Sequence, residues 1–129
     1  IACRIPGGKM RELVLLATGV DLIEYELFRC LGYKNIFSKI KKQKKYKNIN
    51  IQFFTKLNYP FRYFKEIKNL KQINTIKGVY SLSYNLKKGD KIPNLKSSGS
   101  RFGSLITYSN KINKINKLNK MVLRKIDYV

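Results

Sequence analysis

The sequence VYSLSYNLKKGD at residues 79–90 carries the clearest strand pattern of the chain. Four apolar side chains recur at every second position, so they share one face of an extended segment: Tyr80, Leu82, Tyr84 and Leu86. The KKGD at its end is typical of a turn. Residues 73–76 precede this strand across Lys77 and Gly78, and we predict that they pair with it as a hairpin.

Apolar residues at helical spacing surround this strand on its N-terminal side. Residues 21–32 predict a helix with Asp21 as cap, Glu24 three residues later and Gly32 just beyond the last apolar position. Residues 9–17 predict an earlier helix, and Asn35 could cap a short basic one. Tyr63, Phe64, Ile67 and Leu70 predict a further helix over 61–72.

The segments after the strand are less regular. Residues 93–104 are rich in Ser and Gly and predict a loop. Residues 110–120 repeat Asn-Lys-apolar three times, and we predict that this low-complexity segment becomes helical only when a partner orders it. Residues 122–129 predict a terminal strand.

These elements predict an α+β fold, in which two or three helices pack on a short antiparallel sheet and an extended basic region follows. We expect three parts. Residues 1–50 form a helical region ending in a basic run, residues 51–95 an RNA-binding segment, and residues 96–129 a basic extension.

The residue inventory excludes several kinds of chemistry. The chain has no His and only two Cys, so it lacks imidazole-based triads, a disulfide scaffold and a four-ligand zinc site. The GGK at 7–9 lacks the remaining residues of a phosphate loop. Glu24 and Glu26 are two residues apart and face different sides of a helix. We therefore predict no catalysis, no metal, no cofactor and no small-molecule substrate.

The charge gives the strongest indication of a partner. The 129 residues hold 28 Lys+Arg against 7 Asp+Glu, a net charge of +21. Lysines interleaved with Tyr and Phe suit phosphates and unpaired bases. The predicted RNA-binding residues are Lys39, Lys41, Lys42, Lys44, Lys45, Lys47, Lys56, Arg62, Lys65, Lys68, Lys71, Lys77, Tyr84, Lys87 and Lys88.

Residues 54–92 resemble the RNA-binding domain of the small-subunit ribosomal protein four family, sometimes called the alpha-L motif. The resemblance rests on KLNY at 56–59, EIKNL at 66–70, INTIKGV at 73–79 and, most closely, SYNLKKGD at 83–90. The family's central Arg and its His-Gly stretch have no counterpart here. The resemblance implies a helix-helix-strand unit that binds small-subunit ribosomal RNA.

The resulting hypothesis is a non-catalytic small-subunit protein of an organellar ribosome. The bias towards Lys, Asn, Ile and Tyr is typical of A+T-rich codons, so we expect the mitochondrial matrix in preference to a plastid. Its partners would be ribosomal RNA and neighbouring ribosomal proteins, with no membrane insertion. The alternative is a ribosome accessory subunit that docks on protein through its N-terminal helices and touches RNA only secondarily.

Overall fold

The computed structural model describes residues 7–39, 46, 48–59 and 61–127, apart from the side chains of Phe37 and Lys39. The chain divides into two compact units, Ile1–Ile49 and Asn50–Val129. In the first unit lie α1 (Met10–Thr18), α2 (Leu22–Cys30) and α3 (Ile36–Lys39). No helix of the described residues is both long enough and apolar enough to cross a membrane.

The second unit contains a sheet and two helices. Strand β1 (Asn48–Phe54) begins at the boundary between the units. It is followed by α4 (Leu70–Asn74), β2 (Val79–Tyr84), β3 (Gly103–Ser109) and α5 (Ile112–Lys125). Two short 3-10 turns, Lys56–Asn58 and Ser98–Ser100, lie in the connections.

The helices predicted at 9–17 and 21–32 are confirmed as α1 and α2, and their ends explain why they form. The Asp21 side chain accepts a hydrogen bond from the Ile23 amide at 2.9 Å and so caps α2. Gly19 ends α1 in the left-handed conformation, with φ of 78°, and its amide donates to the Leu15 carbonyl. Gly32 follows α2 with φ of 77°.

An ion pair joins the start of α2 to α1. The Arg11 guanidinium donates to both carboxylate oxygens of Asp21, at 2.9 and 2.5 Å. These hydrogen bonds hold the pKa of Asp21 at about 2, below its ordinary value of 3.8, and the bond from the Ile23 amide acts in the same direction. Asp21 therefore caps one helix and fixes it to the other.

The sheet is antiparallel and three-stranded, in the order β1–β3–β2. Leu82 of β2 lies opposite Leu105 of β3, and Tyr84 lies opposite Gly103. Because β3 is the central strand, its residues are the most enclosed: Ser104, Leu105, Ile106 and Thr107 are all buried. The predicted strand at 79–86 is thus confirmed, but its partner is β3.

Aromatic and aliphatic side chains fill the core of the second unit. Phe64 and Phe102 are each 2% exposed, and Tyr59 stacks on Phe64 with ring centroids 5.9 Å apart. Ile73 of α4 and Val122 of α5 join the same cluster. Burial raises the pKa of the Tyr59 hydroxyl, which accepts a hydrogen bond from the Lys65 amide.

The helix predicted over 61–72 is wrong. Residues 62–64 are extended and pair with 90–92, through hydrogen bonds from Phe64 N to Asp90 O and from Ile92 N to Arg62 O. Extended pairing buries Phe64 and leaves Tyr63 half-exposed, so the apolar spacing is satisfied without a helix. The helix begins only at Leu70.

The hairpin predicted between residues 73–76 and 79–86 is also wrong. Residues 70–74 form α4, and the Asn74 side chain bonds to the backbone of Leu82. β2 pairs instead with β3, and Ile73 is buried in the core as part of α4 and not as part of a strand.

The C-terminal segment is a helix and not an extended region, which corrects the predictions for 110–120 and 122–129. Ile115 and Val122 of α5 are buried, and Leu118 packs against the core. Burying a large aliphatic side chain contributes about 1.5–3 kcal/mol. Each pair of like charges three residues apart costs only about 0.2–0.5 kcal/mol. Burial therefore outweighs the repulsion between the lysines of α5.

The α+β class is confirmed in its coarse form, while the alpha-L arrangement is wrong. That arrangement requires two helices packed on the 79–86 strand before residue 92. Among the described residues between 51 and 92, the five-residue α4 is the one α-helix, and β2 pairs with β3 from later in the chain.

Replacing Asp21 with Asn tests the ion pair while keeping the cap, because Asn caps helices as well as Asp does. The folded pKa of Asp21 lies below its ordinary value. The ion pair therefore makes its full contribution to the free energy of unfolding above about pH 4, and this contribution is lost as the pH falls towards 2. We expect D21N to lower the free energy of unfolding by about 1 kcal/mol at pH 7, allowing for solvent screening.

The measurement is urea unfolding followed by circular dichroism. At pH 2.5 the difference between D21N and the unmodified chain should fall to less than half of its value at pH 7. A difference independent of pH would show that the ion pair does not stabilise the first unit.

Replacing Lys117 with Glu should stabilise α5. Lys114 and Lys120 lie three residues to either side of Lys117, all three are exposed, and α5 contains no acid. The substitution changes two repulsive pairs into attractive ones, so we expect a gain of about 0.5–1 kcal/mol in unfolding free energy at low salt. Lys117→Gln removes only the repulsion and should give about half of this gain.

Urea unfolding measures both gains, and 1 M salt should abolish them because it screens the charges. A K117E variant less stable than the unmodified chain at low salt would contradict this account.

Candidate functional site

The second unit carries most of the uncompensated charge. Residues 50–129 hold 17 of the 28 Lys+Arg residues and only three acids, Glu66, Asp90 and Asp127. The ion pairs found between described residues all lie in the first unit. None of the cations described between residues 48 and 127 is paired with a carboxylate of the described residues, although Arg62, Lys65 and Arg101 lie over aromatic rings.

Strand pairing gathers five cations into one surface, which we call the basic ridge: Arg62, Lys65, Lys87, Lys88 and Lys91. Tyr63 pairs with Lys91, and the Gly89 amide donates to the Phe64 carbonyl at 2.9 Å. The 87–90 turn is closed by a bond from the Lys87 amide to the Asp90 carboxylate. All five cationic residues are exposed.

A second feature is the Ser/Gly loop, residues 96–103, with the sequence KSSGSRFG. Its own side chains fix its shape. The Ser97 hydroxyl oxygen accepts from the Gly99 amide at 3.2 Å, and the Ser100 hydroxyl oxygen accepts from the Lys96 amide at 3.2 Å. Since a hydroxyl oxygen that accepts still has a hydrogen to donate, the loop keeps donors for a ligand.

The end of the Ser/Gly loop is anchored in the core. The Phe102 amide donates to the Phe54 carbonyl at 3.0 Å, and the Phe102 carbonyl accepts from the Asn85 amide at 2.9 Å. The guanidinium of Arg101 lies over the ring of Phe53, 4.0 Å from its centroid. This cation–π contact fixes the position of the Arg101 side chain within the loop while leaving the residue exposed.

The loop supplies what phosphate oxygens need. Lys96, Ser97, Ser98 and Arg101 are exposed, and together they offer two cations and two hydroxyls within six residues. Charge-assisted hydrogen bonds to phosphate are stronger than neutral ones, and a guanidinium can donate two in parallel. Because hydrogen bonds within the loop and at Phe102 fix its backbone, ordering on anion binding would be confined to the exposed side chains.

The basic run predicted to bind RNA lies mostly outside the described residues. Lys41, Lys42, Lys44, Lys45 and Lys47 are not described, and Lys39 is described only as part of α3. Nothing in the structure bears on the contacts of these six lysines.

The remaining predicted residues are spread over the second unit, and the structure brings only some of them together. Arg62, Lys65, Lys87 and Lys88 meet on the basic ridge. Three exposed lysines lie apart from them in or near α4: Lys68, Lys71 and Lys77. Lys56 donates to the Phe61 carbonyl at 2.8 Å. The Tyr84 ring packs 4.8 Å from that of Phe64, in the partly buried margin of the core.

Sequence reasoning missed the Ser/Gly loop as a site, although it recognised the loop. The signal was present, since three serines and a glycine at 97–100 lie between Lys96 and Arg101. The composition predicted only a loop, because the sequence alone does not place residues 96–103 between two paired strands. Among the described residues, no three His, Cys, Asp or Glu side chains are grouped to hold a metal.

The fold is similar to that of two solved enzymes. One is phosphoribosylglycinamide synthetase from Anaerococcus prevotii, with a TM-score of 0.72 and 14% identity over 94% of this chain. The other is L-amino acid ligase from Bacillus licheniformis, with a TM-score of 0.68 and 14% identity over 98% of this chain. Both are ATP-grasp enzymes. At this identity the likeness establishes the fold alone, and the chain spans 30% of the length of each enzyme.

Sequence comparisons add no family. No family model matches the chain, and no curated protein matches it.

The structural likeness corrects the functional hypothesis. The resemblance to the small-subunit ribosomal protein four family is wrong, and so is the assignment to an organellar ribosome as an RNA-binding constituent, because nearly the whole chain matches part of an ATP-grasp domain. The ribosomal resemblance rested on SYNLKKGD, which here is a strand and turn of a different sheet. The mitochondrial location and the absence of catalysis stay predictions.

Gly103 should be essential to the anchoring of the Ser/Gly loop. A β-carbon at this position would lie 2.6 Å from the Ser83 carbonyl oxygen and 2.9 Å from the Phe54 ring. Gly103→Ala should therefore cost about 2 kcal/mol of unfolding free energy through overpacking. In Gly99→Ala the new carbon meets only Ser97 Oγ, at 3.5 Å. That matched variant should cost less than about 0.5 kcal/mol, and equal losses in urea unfolding would contradict the packing described for Gly103.

Proposed function

We propose that this chain binds the phosphates of a nucleoside triphosphate on the Ser/Gly loop, as the nucleotide-binding part of an ATP-dependent ligase. The likeness in fold to two ATP-grasp enzymes over nearly the whole chain carries the proposal. Because the chain spans only 30% of those enzymes, we assign it nucleotide binding and not the complete ligase reaction.

The chemistry of the Ser/Gly loop supports this assignment. Two or three phosphates in a row carry several negative charges, and the loop offers Lys96 and Arg101 with serine hydroxyls between them. Loops of this composition bind phosphates because the absence of large side chains lets the backbone approach the oxygens. The anchoring of Phe102 in the core keeps the loop in place as the ligand binds.

The basic ridge would act at longer range. Its five cations raise the local concentration of any anion near the second unit, which speeds association at low salt. The ridge offers no serine or glycine cluster comparable to that of the loop, so it would attract a nucleotide without fixing its orientation.

A titration of the chain with ATP tests the proposal. Two double variants lose the same charge at different places: K96A/R101A on the Ser/Gly loop and K114A/K117A on the exposed face of α5. Each hydrogen bond to a charged group contributes about 1.5–3 kcal/mol. We therefore expect K96A/R101A to weaken ATP binding at least tenfold by calorimetry, and K114A/K117A to change it less than twofold.

The comparison with AMP separates phosphate binding from base binding. AMP carries the same base as ATP with one phosphate, and it should bind at least tenfold more weakly. Backbone NMR shifts on adding ATP should concentrate in residues 96–103. Equal losses in both double variants, or shifts spread over all the basic surfaces, would show non-specific attraction to a +21 chain and would refute the proposed site.

A further inference from the structure

The three serines of the Ser/Gly loop differ in their surroundings. Ser97 and Ser100 close the loop on itself, because the Ser97 hydroxyl oxygen accepts from the Gly99 amide and the Ser100 hydroxyl oxygen accepts from the Ser97 amide at 3.4 Å. Ser100 is also buried, whereas Ser98 is exposed. Among the described residues the Ser98 hydroxyl has no hydrogen-bond partner, so its donor and acceptors are available to a ligand.

The turn that these bonds close brings Ser98 and Arg101 to one side of the loop. Residues 98–100 form a 3-10 turn, and the Arg101 amide donates to the Ser98 carbonyl at 3.4 Å. Residues three apart in such a turn lie above one another. Ser98 and Arg101, both exposed, are therefore neighbours on the surface of the loop.

An aromatic ring of β1 fixes the direction of Arg101. The guanidinium carbon lies 4.0 Å from the centroid of the half-buried Phe53 ring. The next residue of β1, Phe54, accepts from the Phe102 amide at 3.0 Å, so two successive residues of β1 hold two successive residues of the loop. A cation–π contact needs no hydrogen-bond acceptor. Since no described residue accepts from the Arg101 guanidinium, its N–H groups are left for an anion.

We infer that Ser98 and Arg101 bind the same phosphate group, and that Phe53 positions Arg101 to do so. This inference rests on the proposed function, because the phosphate belongs to the nucleoside triphosphate proposed there. The guanidinium would donate two parallel hydrogen bonds, and the Ser98 hydroxyl would donate another. Phe53 does not touch the nucleotide and acts through Arg101. It is a positioning residue, and the site extends from the loop into β1.

ATP titrations of ring variants test the role of Phe53. Phe53→Leu keeps an apolar side chain but removes the ring, and it should weaken ATP binding about fivefold. Phe53→Tyr keeps the ring and should bind ATP within about twofold of the unmodified chain. Phe61→Leu is the matched control, because the Lys65 ammonium lies over the Phe61 ring at 4.2 Å, outside the loop. It should change ATP binding by less than about twofold.

A double variant separates positioning from a structural role. If Phe53 acts through Arg101, its ring has no effect on binding once Arg101→Ala has removed the guanidinium. F53L/R101A should therefore bind ATP as weakly as R101A. A ring that only stabilises the sheet would weaken binding in the R101A background as well, and this result would overturn the inference.

Two exposed positions test the phosphate contacts without changing the core. Ser98→Ala should weaken ATP binding about tenfold, and Ser98→Thr, which keeps the hydroxyl, should restore most of the loss. Arg101→Lys keeps the charge but loses the parallel pair of bonds, so it should weaken binding about fivefold. Both variants leave the core intact, so they test the inference even where F53L fails to fold.

The outcomes distinguish this inference from the proposed function. ATP binding that is lost in K96A/R101A but unchanged in S98A, R101K or folded F53L would overturn the inference and leave the proposed function standing. An unmodified chain that fails to bind ATP would refute the proposed function, and the inference with it.

Discussion

The burial of β3 between two other strands is the constraint on which the second unit depends. Four successive residues of this strand are buried, and two of them, Ser104 and Thr107, are polar. Leu105 faces the core together with Leu82 of β2, while α5 packs against the same strand. Although β1 and β2 come earlier in the chain, each has its strand partner in residues 103–109.

The same arrangement explains how a chain with a net charge of +21 keeps a stable core. The buried set is almost entirely apolar, and β2 and β3 contain no charged residue. The described lysines of the second unit are exposed, except for the half-buried Lys56. Repulsion between them is spread over exposed positions, where water and salt screen it, so the core bears little of the electrostatic cost.

The Ser/Gly loop joins these two features. Its end belongs to the core through Phe102, and its exposed part carries two of the unpaired cations, Lys96 and Arg101. The eight residues of the Ser/Gly loop, 96–103, therefore contribute both to the packing of the sheet and to the phosphate binding that we propose. Asn74 likewise belongs to two elements, since it ends α4 and its side chain makes two hydrogen bonds to the backbone of Leu82 in β2.

Local signals were sufficient for part of this fold. Asp21 and Gly32 mark the ends of α2, because helix caps act within one or two residues. The alternation at 79–86 marks β2, because successive side chains of a strand point to opposite faces of the sheet. The charge and the absence of His were also legible from composition. These features need no knowledge of distant residues.

Tertiary structure alone decided the rest. Tyr63 and Phe64 fit a helical stripe equally well, but their segment is extended because it pairs with residues 90–92. Local sequence could not predict this pairing, since its hydrogen bonds join positions about 28 residues apart. The repeat at 112–120 has weak helix propensity, and burial of Ile115 and Val122 made it a helix. The site followed the same rule: sequence showed a basic chain with a serine-rich loop, and only the pairing of β2 with β3 fixed that loop as an anchored site.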